Sequence, residues 1–361
     1  MADHEAEIRM TPRERWLAVL AGDKPDRVPC DYWGTAEITQ RLLRDLGCAS
    51  ERELWQRLGV DKCIYLGPVH PAAREQGWHL QSLFSIWHVE TQSVAYGDGI
   101  GDYQEDAFHP LAGAECVNDI EAFDWPRAED FDVGALRDGC EQWEGYPILG
   151  ATSEPFYLYC RLRGMEMALE DLIARPEIAE AILGRIFAFD AALIERVLVE
   201  AGDRVDLIYL AEDLGTQNSL LLSPVLFRRF LKPRMAALAD LVHRYGKRVF
   251  HHDDGAIRPL IPDLLELGID ILNPVQWRCR GMDRAGLAAG FGSRVVFHGG
   301  IDNQQTLPFG SPQDVRNEVK ESIELLGGGR GYIVAPCHNL QSNTPTENVV
   351  ALYEAVRTFG R

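Results

Sequence analysis

Short apolar runs rich in β-branched and aromatic residues recur along the chain, and amphipathic stretches separate most of them. The intervening stretches, such as Ile257–Gly268, repeat apolar residues with the period of a helix. This alternation predicts an α/β protein with a parallel sheet. The predicted strands lie near residues 28–33, 62–67, 146–152, 206–213, 247–255, 270–276, 294–300 and 331–338.

About eight strands in 361 residues favour a closed (β/α)8 TIM barrel over an open doubly wound sheet. No Gly-x-Gly-x-x-Gly stretch follows an early strand, which argues against a dinucleotide-binding fold. Residues 70–130 fit the alternation poorly, and we predict an inserted hairpin there, within Ser85–Gly99, followed by a connecting segment. Because no linker rich in Pro or Gly interrupts the chain, we interpret residues 1–361 as a single barrel domain.

Two helix starts carry the signature of a capping box. Thr11 is a suitable N-cap, Pro12 suits the first turn, and Glu14 closes the box. The same pattern at Thr344 and Glu347 predicts another helix start near the end of the chain.

Composition restricts the classes of partner. A formal net charge of -19 repels phosphate backbones, so we expect no nucleic-acid binding. No apolar run approaches the ~18 residues of a membrane span, and the acidic N-terminus lacks the apolar region of a secretory signal. The eight cysteines form no Cys-x-x-Cys pair, which predicts free thiols. We expect a soluble, cytoplasmic protein that acts on a small molecule.

Polar side chains collect at the carboxyl ends of the predicted strands, where barrels of this kind place their catalytic residues. The opposite strand ends carry ordinary turn residues. The candidate site residues are Trp33, Glu212, Asp213, His252, Asp254, Gln276, His298, Asp302, Cys337, His338 and Asn339.

The stretch VFHHDDGAI, Val249–Ile257, suggests a metal site or an acid/base site. Because side chains alternate along a strand, His252 and Asp254 should share one side. With Cys337 from another strand end, they would leave one open position, as in a catalytic zinc site. The alternative is that these groups only satisfy loop backbone and each other.

Four further residues allow two interpretations each. Glu212 and Asp213 follow an apolar strand and could transfer protons or hold substrate, or could cap the next helix. Trp33 could wall a flat ligand or belong to the core. His298 precedes two glycines, which indicates a close approach of backbone to a ligand or to neighbouring chain.

Several stretches resemble the uroporphyrinogen decarboxylase superfamily, whose members are (β/α)8 barrels. The resemblance covers most of the chain and is weakest in about 70–130. The stretches are MTPRERWLAVLAGDKPDRVP, AEDLGTQNSLLLSPVLFRRFLKPRM, RVFHHDDGAIRPLIPDLLELGIDILNPVQ, VVFHGGIDNQQTLP and RGYIVAPCHNLQSNTPTENV.

The resemblance implies one of two chemistries. Decarboxylases of the superfamily act on uroporphyrinogen without a cofactor and carry Arg-Gln-Ala-Gly-Arg-Tyr after the first strand. The matching region here, Asp31–Glu37, has no arginine and carries two carboxylates. An octa-anionic substrate needs cationic anchors, which argues against decarboxylation. His338 does match a histidine near the decarboxylase site, so a cofactor-free decarboxylase stays as the alternative.

The other branch contains methyltransferases that move a methyl group between a corrinoid protein and a thiol or other acceptor. They hold zinc on a His-x-Cys-Gly motif and a distant Cys. The matching metal ligands here are His252, Asp254 and Cys337, with Gly255 as the glycine. Asp in place of Cys makes the site harder and better suited to an oxygen ligand.

We therefore interpret the chain as a zinc-assisted, corrinoid-linked methyltransferase. Glu212, Asp213 and His338 are the predicted catalytic residues. A non-catalytic barrel that binds a corrinoid or a tetrapyrrole is a third interpretation. The chain has no Asp-x-His-x-x-Gly stretch, so the corrinoid would arrive on a separate protein. That protein and a second copy of the chain are the candidate partners. The residues assigned to substrate binding are Trp33, Gln276, His298, Asp302 and Asn339.

Overall fold

The computed structural model of the chain describes residues 10–72, 86–96 and 101–361. The chain divides into two compact units. The first contains Met1–Ile64, Glu144–Pro147 and Asp283–Arg361, and the second contains Tyr65–Trp143 and Ile148–Met282. That the whole chain forms one barrel domain remains a prediction.

The strands confirm the predicted α/β class. All but the first of the predicted segments contain a strand. The first, near 28–33, forms only a parallel bridge between Cys30 and Val334. The strands are β1 (Ile64–Tyr65), β2 (Glu90–Tyr96), β3 (Gly101–Phe108), β4 (Ile148–Ser153), β5 (Leu207–Glu212), β6 (Arg248–Asp253), β7 (Ile271–Asn273), β8 (Val296–Ile301) and β9 (Tyr332–Pro336).

Helices occupy most of the sequence between these strands. A π-helical turn, Phe227–Leu231, lies between the short helix Pro224–Leu226 and the helix Lys232–Arg244. The helices are α1 (Pro12–Ala21), α2 (Ala36–Asp45), α3 (Glu51–Leu58), α4 (Val117–Glu121), α5 (Gly134–Glu141), α6 (Pro155–Arg163), α7 (Met165–Ala174), α8 (Pro176–Ala201), α9 (Pro224–Leu226), α10 (Lys232–Arg244), α11 (Ile261–Glu266), α12 (Arg284–Phe291), α13 (Thr306–Phe309), α14 (Pro312–Leu326) and α15 (Thr346–Phe359).

The second unit contains a parallel sheet in which β4, β5, β6 and β7 are consecutive neighbours. Every residue of β5 is buried, as expected for a strand covered on both faces. The register pairs Ala211 with His252 and His252 with Asn273. The carboxyl ends of these strands therefore bring their polar residues to one edge.

The first unit contains the parallel pair β8 and β9, in which Gly300 pairs with Ala335. The segment around Cys30 runs beside β9, because Asp31 N donates to Val334 O (2.8 Å) and Val334 N donates to Pro29 O (3.0 Å). On the other side of the segment, the carbonyl of Cys30 accepts a hydrogen bond from Asp61 N (2.7 Å). This segment thus has neighbours on both sides although it is too irregular to count as a strand.

An antiparallel hairpin forms in the region of weak pattern, where β2 pairs with β3. The sequence prediction placed both strands within Ser85–Gly99, but β3 begins at Gly101. Residues 73–85 and 97–100 lie outside the described residues. That this region is an insertion remains a prediction.

One predicted capping box is present and the other is not. Thr11 accepts from Glu14 N (3.2 Å), and Glu14 accepts from Thr11 N (2.6 Å). The second predicted helix start is confirmed, since α15 begins at Thr346, but the predicted cap is wrong, since Pro345 is the N-cap and has no side-chain acceptor. All eight cysteines are free thiols. Within the described part of the chain, no helix has both the length and the apolar character needed to span a bilayer.

Candidate functional site

A histidine and two carboxylates meet at the carboxyl end of β6. His252 is the fifth residue of that strand and is only 7% exposed. Its Nε2 atom lies 3.6 Å from Oδ1 of Asp213 and 3.7 Å from Oδ1 of Asp254. The alternation of the strand puts the neighbouring pair, His251 and Asp253, together as well, 3.7 Å apart.

A third side chain fixes the orientation of the His252 ring. Nδ1 of His252 donates to Oδ1 of Asn273, at 2.5 Å, from the end of the adjacent strand β7. Because Nδ1 then carries the proton, the lone pair of a neutral ring lies on Nε2, which faces the two carboxylates. Metal-binding histidines in proteins are usually oriented in this way, by a hydrogen bond from the ring nitrogen that does not bind the metal.

The charges around His252 favour its protonated form. Burial by itself would lower the pKa of His252, but the carboxylates of Asp254 and Asp213 outweigh it and hold the pKa above its ordinary value. A bound cation would take the place of the ring proton and interact with the same carboxylates.

The loops after β5 and β6 pack backbone against backbone. Gly255 adopts a left-handed conformation (φ 87°), and a Cβ there would lie 2.5 Å from the carbonyl carbon of Gly215. A Cβ on Gly215 would meet Asp254 O at 2.2 Å. Gln276 closes the same turn, since its Oε1 accepts from Gly255 N (2.8 Å). The structure therefore gives Gln276 a role in holding this loop, and its predicted contact with substrate is untested.

Glu212 lies beside the N-terminus of α6 and satisfies its backbone. Its carboxyl oxygens accept from Phe156 N (3.0 Å) and Tyr157 N (3.2 Å). Burial raises the pKa of Glu212 well above its ordinary value. These contacts favour the capping alternative for Glu212, although the helix is not the next one in the chain.

Replacement of Glu212 separates capping from catalysis. Glu212→Ala leaves the amides of Phe156 and Tyr157 unsatisfied, so we expect the free energy of unfolding to fall by about 1–3 kcal/mol. Glu212→Gln keeps an acceptor oxygen and should lose less than half of that amount. Urea unfolding measures both. If Glu212→Gln unfolds like the wild type but is inactive, the predicted catalytic role holds instead.

In the first unit, Trp33 and His298 converge on a buried carboxylate. Trp33 Nε1 donates to Oδ2 of Asp31 (2.9 Å), and His298 Nε2 lies 3.1 Å from the same oxygen. The His298 ring is fully buried between Trp16 and Trp33, with centroids 5.6 and 5.8 Å away. The two residues predicted to bind substrate thus form one polar cluster with Asp31, which sequence reasoning did not single out.

The remaining candidates of the first unit follow β8 and β9. Asp302 accepts from the backbone N–H groups of Gln304, Gln305 and Thr306, so it caps α13. Cys337 is 3% exposed, and its N–H donates to Ile301 O (2.7 Å). Asn339 accepts from the side chain of Asn303 through its backbone carbonyl (3.4 Å). His338 is partly buried. That Cys337 joins His252 and Asp254 remains a prediction, since it belongs to the other unit.

Two carboxyl groups that sequence reasoning missed lie after β4 and on α8. Burial raises the pKa of Glu154 to about 7, and His252 acts in the opposite direction on it. Asp190 is 6% exposed and accepts from Ser153 Oγ (2.6 Å). Burial raises its pKa to about 7. Glu154 was detectable in principle because it ends an apolar strand, whereas Asp190 has no signal in the helical pattern.

Asp190→Asn should change the pH dependence of stability. Because the folded-state pKa of Asp190 is raised, the folded protein binds this proton more tightly than the unfolded chain does. The resulting contribution to the free energy of unfolding is complete below pH ~4 and is lost as the pH rises towards about 7. The Asp190→Asn variant lacks this pH-dependent contribution. Relative to the wild type, the variant should gain up to roughly 4 kcal/mol between pH 4 and 7. Urea unfolding across this range checks the slope, and a constant difference between the two proteins contradicts it.

Comparison with known proteins identifies the family. The family model described as uroporphyrinogen decarboxylase (URO-D) matches residues 118–359. The chain belongs to the uroporphyrinogen decarboxylase family. A relative named uroporphyrinogen decarboxylase, from Coxiella burnetii, is 24% identical over 263 residues, which are 70% of this chain and 69% of the relative. One from Thermus thermophilus is 31% identical over 142 residues, 38% of each chain.

Solved structures show which fold this family member has. A methyltransferase from Methanosarcina mazei is similar with a TM-score of 0.70 and 22% identity, over 97% of this chain and 99% of that one. A B12-independent methionine synthase from Shewanella sp. is similar with a TM-score of 0.50 and 12% identity, over 92% of this chain and 98% of that one. At these identities the likeness establishes the fold and leaves the reaction open.

Proposed function

We propose that this family member is a metal-assisted methyltransferase, which moves a methyl group between a methylated small molecule, a corrinoid protein and a thiol or other acceptor. The observation that carries the proposal is the His252 ring, held by Asn273 with Nε2 facing two carboxylates. The fold likeness to a methyltransferase over nearly the whole chain supports it. We also propose a single closed (β/α)8 barrel, which that likeness supports.

The donor set fits a divalent cation such as zinc. His252 and Asp254 would supply an imidazole nitrogen and a carboxylate oxygen, and Cys337 is the proposed third ligand. When bound, zinc lowers the pKa of a coordinated thiol or hydroxyl and makes it a better nucleophile. Asp213, whose side chain is 54% exposed, would contact the incoming substrate beside His252.

We propose that Asn273 orients the His252 ring and does not itself bind the metal. Asn273→Ala removes the acceptor for Nδ1 of His252, and loss of such a partner typically costs 10–100-fold in metal affinity. We therefore expect the dissociation constant for zinc to rise by about that factor, with the fold unchanged by circular dichroism. Competition with a chelating dye measures the constant. Unchanged zinc affinity would show that the ring needs no such support.

A cofactor-free decarboxylase is the second candidate, because the curated relatives carry that name. Against it, Asp31–Glu37 contains no arginine, and Asp31 is buried among Trp33, His298 and Cys63. The large anionic substrate of a decarboxylase would meet no cationic anchor in this segment.

Two assays separate the candidates. The zinc-loaded protein is mixed with methylcobalamin, as a stand-in for the corrinoid protein, and a thiol, and demethylation is followed by absorbance. The same protein without added metal is mixed with uroporphyrinogen. We expect metal-dependent demethylation and no decarboxylation. Turnover of uroporphyrinogen by the metal-free protein would overturn the proposal in favour of the second candidate.

A further inference from the structure

The second unit contains a partly open cavity of about 70 Å³ beside the end of β4. That volume has room for several water-sized groups. Its apolar walls include Trp87, Phe131, Phe189 and Leu193, and its polar wall includes Glu154 and Asp190. Apolar pockets with a few convergent polar groups are the usual form of small-molecule sites.

The aromatic walls form one connected cluster. Trp87 and Phe189 meet edge to face, with centroids 4.9 Å apart and planes at 79°. Phe131 and Phe189 are 5.6 Å apart at 62°. Aromatic rings attract cations through the negative charge of their faces, and the attraction grows when water is excluded.

The described residues that line the cavity include two carboxyl groups and no Lys, Arg or His. The charge of His252 reaches Glu154 from outside this lining. Arg161, whose charge acts on Glu154, forms an ion pair with Asp106. Burial of the Asp190 carboxylate, which is 6% exposed, is costly, and a cationic ligand would supply the positive charge that the described lining lacks.

The cavity adjoins the His252 cluster within the same unit. Glu154 lines the cavity, and its charge acts on His252 while that of Asp213 acts on Glu154. A group held in the cavity against Glu154 would therefore have one side towards the residues that we propose for methyl transfer.

We propose that this cavity binds the methylated ammonium group of a cationic substrate, so that the methyl donor is a quaternary or tertiary methylamine. The reaction rests on the proposed methyl-transfer function, but the binding does not. In the transfer, the C–N bond breaks and nitrogen keeps its electron pair. The amine then leaves with one methyl group and one positive charge fewer, and the methyl group goes to the nucleophile, a reduced corrinoid or a thiolate.

Calorimetry with two probes of the same shape tests the charge requirement. Choline carries a trimethylammonium group, and 3,3-dimethyl-1-butanol replaces its nitrogen by carbon. We expect choline to bind the full-length, metal-free protein at least about tenfold more tightly. Equal affinities, or tighter binding of the neutral probe, would overturn the proposal and point to a neutral methyl ether.

Variants locate the binding in this cavity. Asp190→Asn should weaken choline at least about tenfold without changing the neutral probe, since it removes charge and keeps shape. Phe189→Leu should weaken choline severalfold, which tests the aromatic wall independently of the carboxylate. Asp203→Asn, at an exposed ion pair with Arg137, is the control and should bind normally. Normal binding by both cavity variants would overturn the proposal.

The results distinguish this inference from the function on which its chemistry rests. Choline binding that depends on Asp190, in a protein that never transfers methyl groups, would leave the site standing and remove the proposed reaction. Methyl transfer from neutral ethers, without any choline binding, would remove the site and leave the reaction.

Discussion

His252→Ala is expected to leave the purified protein without bound zinc and to lower methyl-transfer turnover by at least about 10³-fold. The expected loss is large because the ring would supply a metal ligand and its neighbours would then face one another as unneutralised carboxylates. Metal content by mass spectrometry, after growth with added zinc, measures the first effect. The methylcobalamin assay measures the second.

His243→Ala is the matched control for this prediction. His243 also lies beside a carboxylate, with Nε2 3.0 Å from Oδ2 of Asp270, but its side chain is 34% exposed and it lies in the last turn of α10. The His243→Ala variant should keep its zinc and its activity. If His252→Ala retains stoichiometric zinc, the metal lies elsewhere and the proposed mechanism fails.

The third ligand can be identified in the same experiment. Cys337→Ala should lose zinc if the sequence prediction is right, and His338→Ala should then keep it. The opposite result would assign the ligand to the adjacent imidazole, which is an equally good zinc donor.

Asp31→Ala is expected to cost about 3–5 kcal/mol of unfolding free energy, the largest stability effect that we predict. Asp31 is fully buried and accepts hydrogen bonds from Trp33 Nε1, His298 Nε2 and Cys63 N (3.0 Å). Its removal leaves these donors without their acceptor in a site that water does not reach. Urea unfolding measures the loss, and Asp45→Ala, at an exposed position, is the control.

The cost should also shrink in acid. Burial raises the pKa of Asp31, but Lys62, His298 and Cys63 N–H outweigh it and hold the pKa below its ordinary value. Because the folded-state pKa of Asp31 is lowered, its ionised carboxylate stabilises the folded protein at pH values above the unfolded-state pKa of ~3.9. This stabilisation is lost as the pH falls through the folded-state pKa. A difference between variant and wild type that grows in acid would contradict this assignment.

The strands were predictable because they are buried on both faces, and burial selects continuous β-branched and aromatic runs. The exception, near residues 28–33, contains Pro29. Proline has no N–H to donate, so this segment pairs with β9 only in part. The second capping box failed for a related reason, since Pro345 took the position that Thr344 was expected to hold.

The site was predictable only where one strand decides the geometry. His252 and Asp254 meet because side chains two apart share a face. Asn273 and Asp190 come from other elements, so that no local pattern reports them. Glu212 had the right residue type at a strand end, but the helix whose N–H groups it accepts lies about 50 residues earlier in the chain.

The contact between Gly215 and Gly255 also limits how the site can open. A hydrogen bond from Ala256 N to Thr216 O (2.8 Å) joins the same two loops. Neither loop has room to slide past the other, so admission of a ligand between them would require both to swing as one piece. The backbone torsions that change in such a movement would lie outside these two loops. Two spectroscopic labels, one on each loop, would therefore keep a constant separation while both moved relative to the sheet.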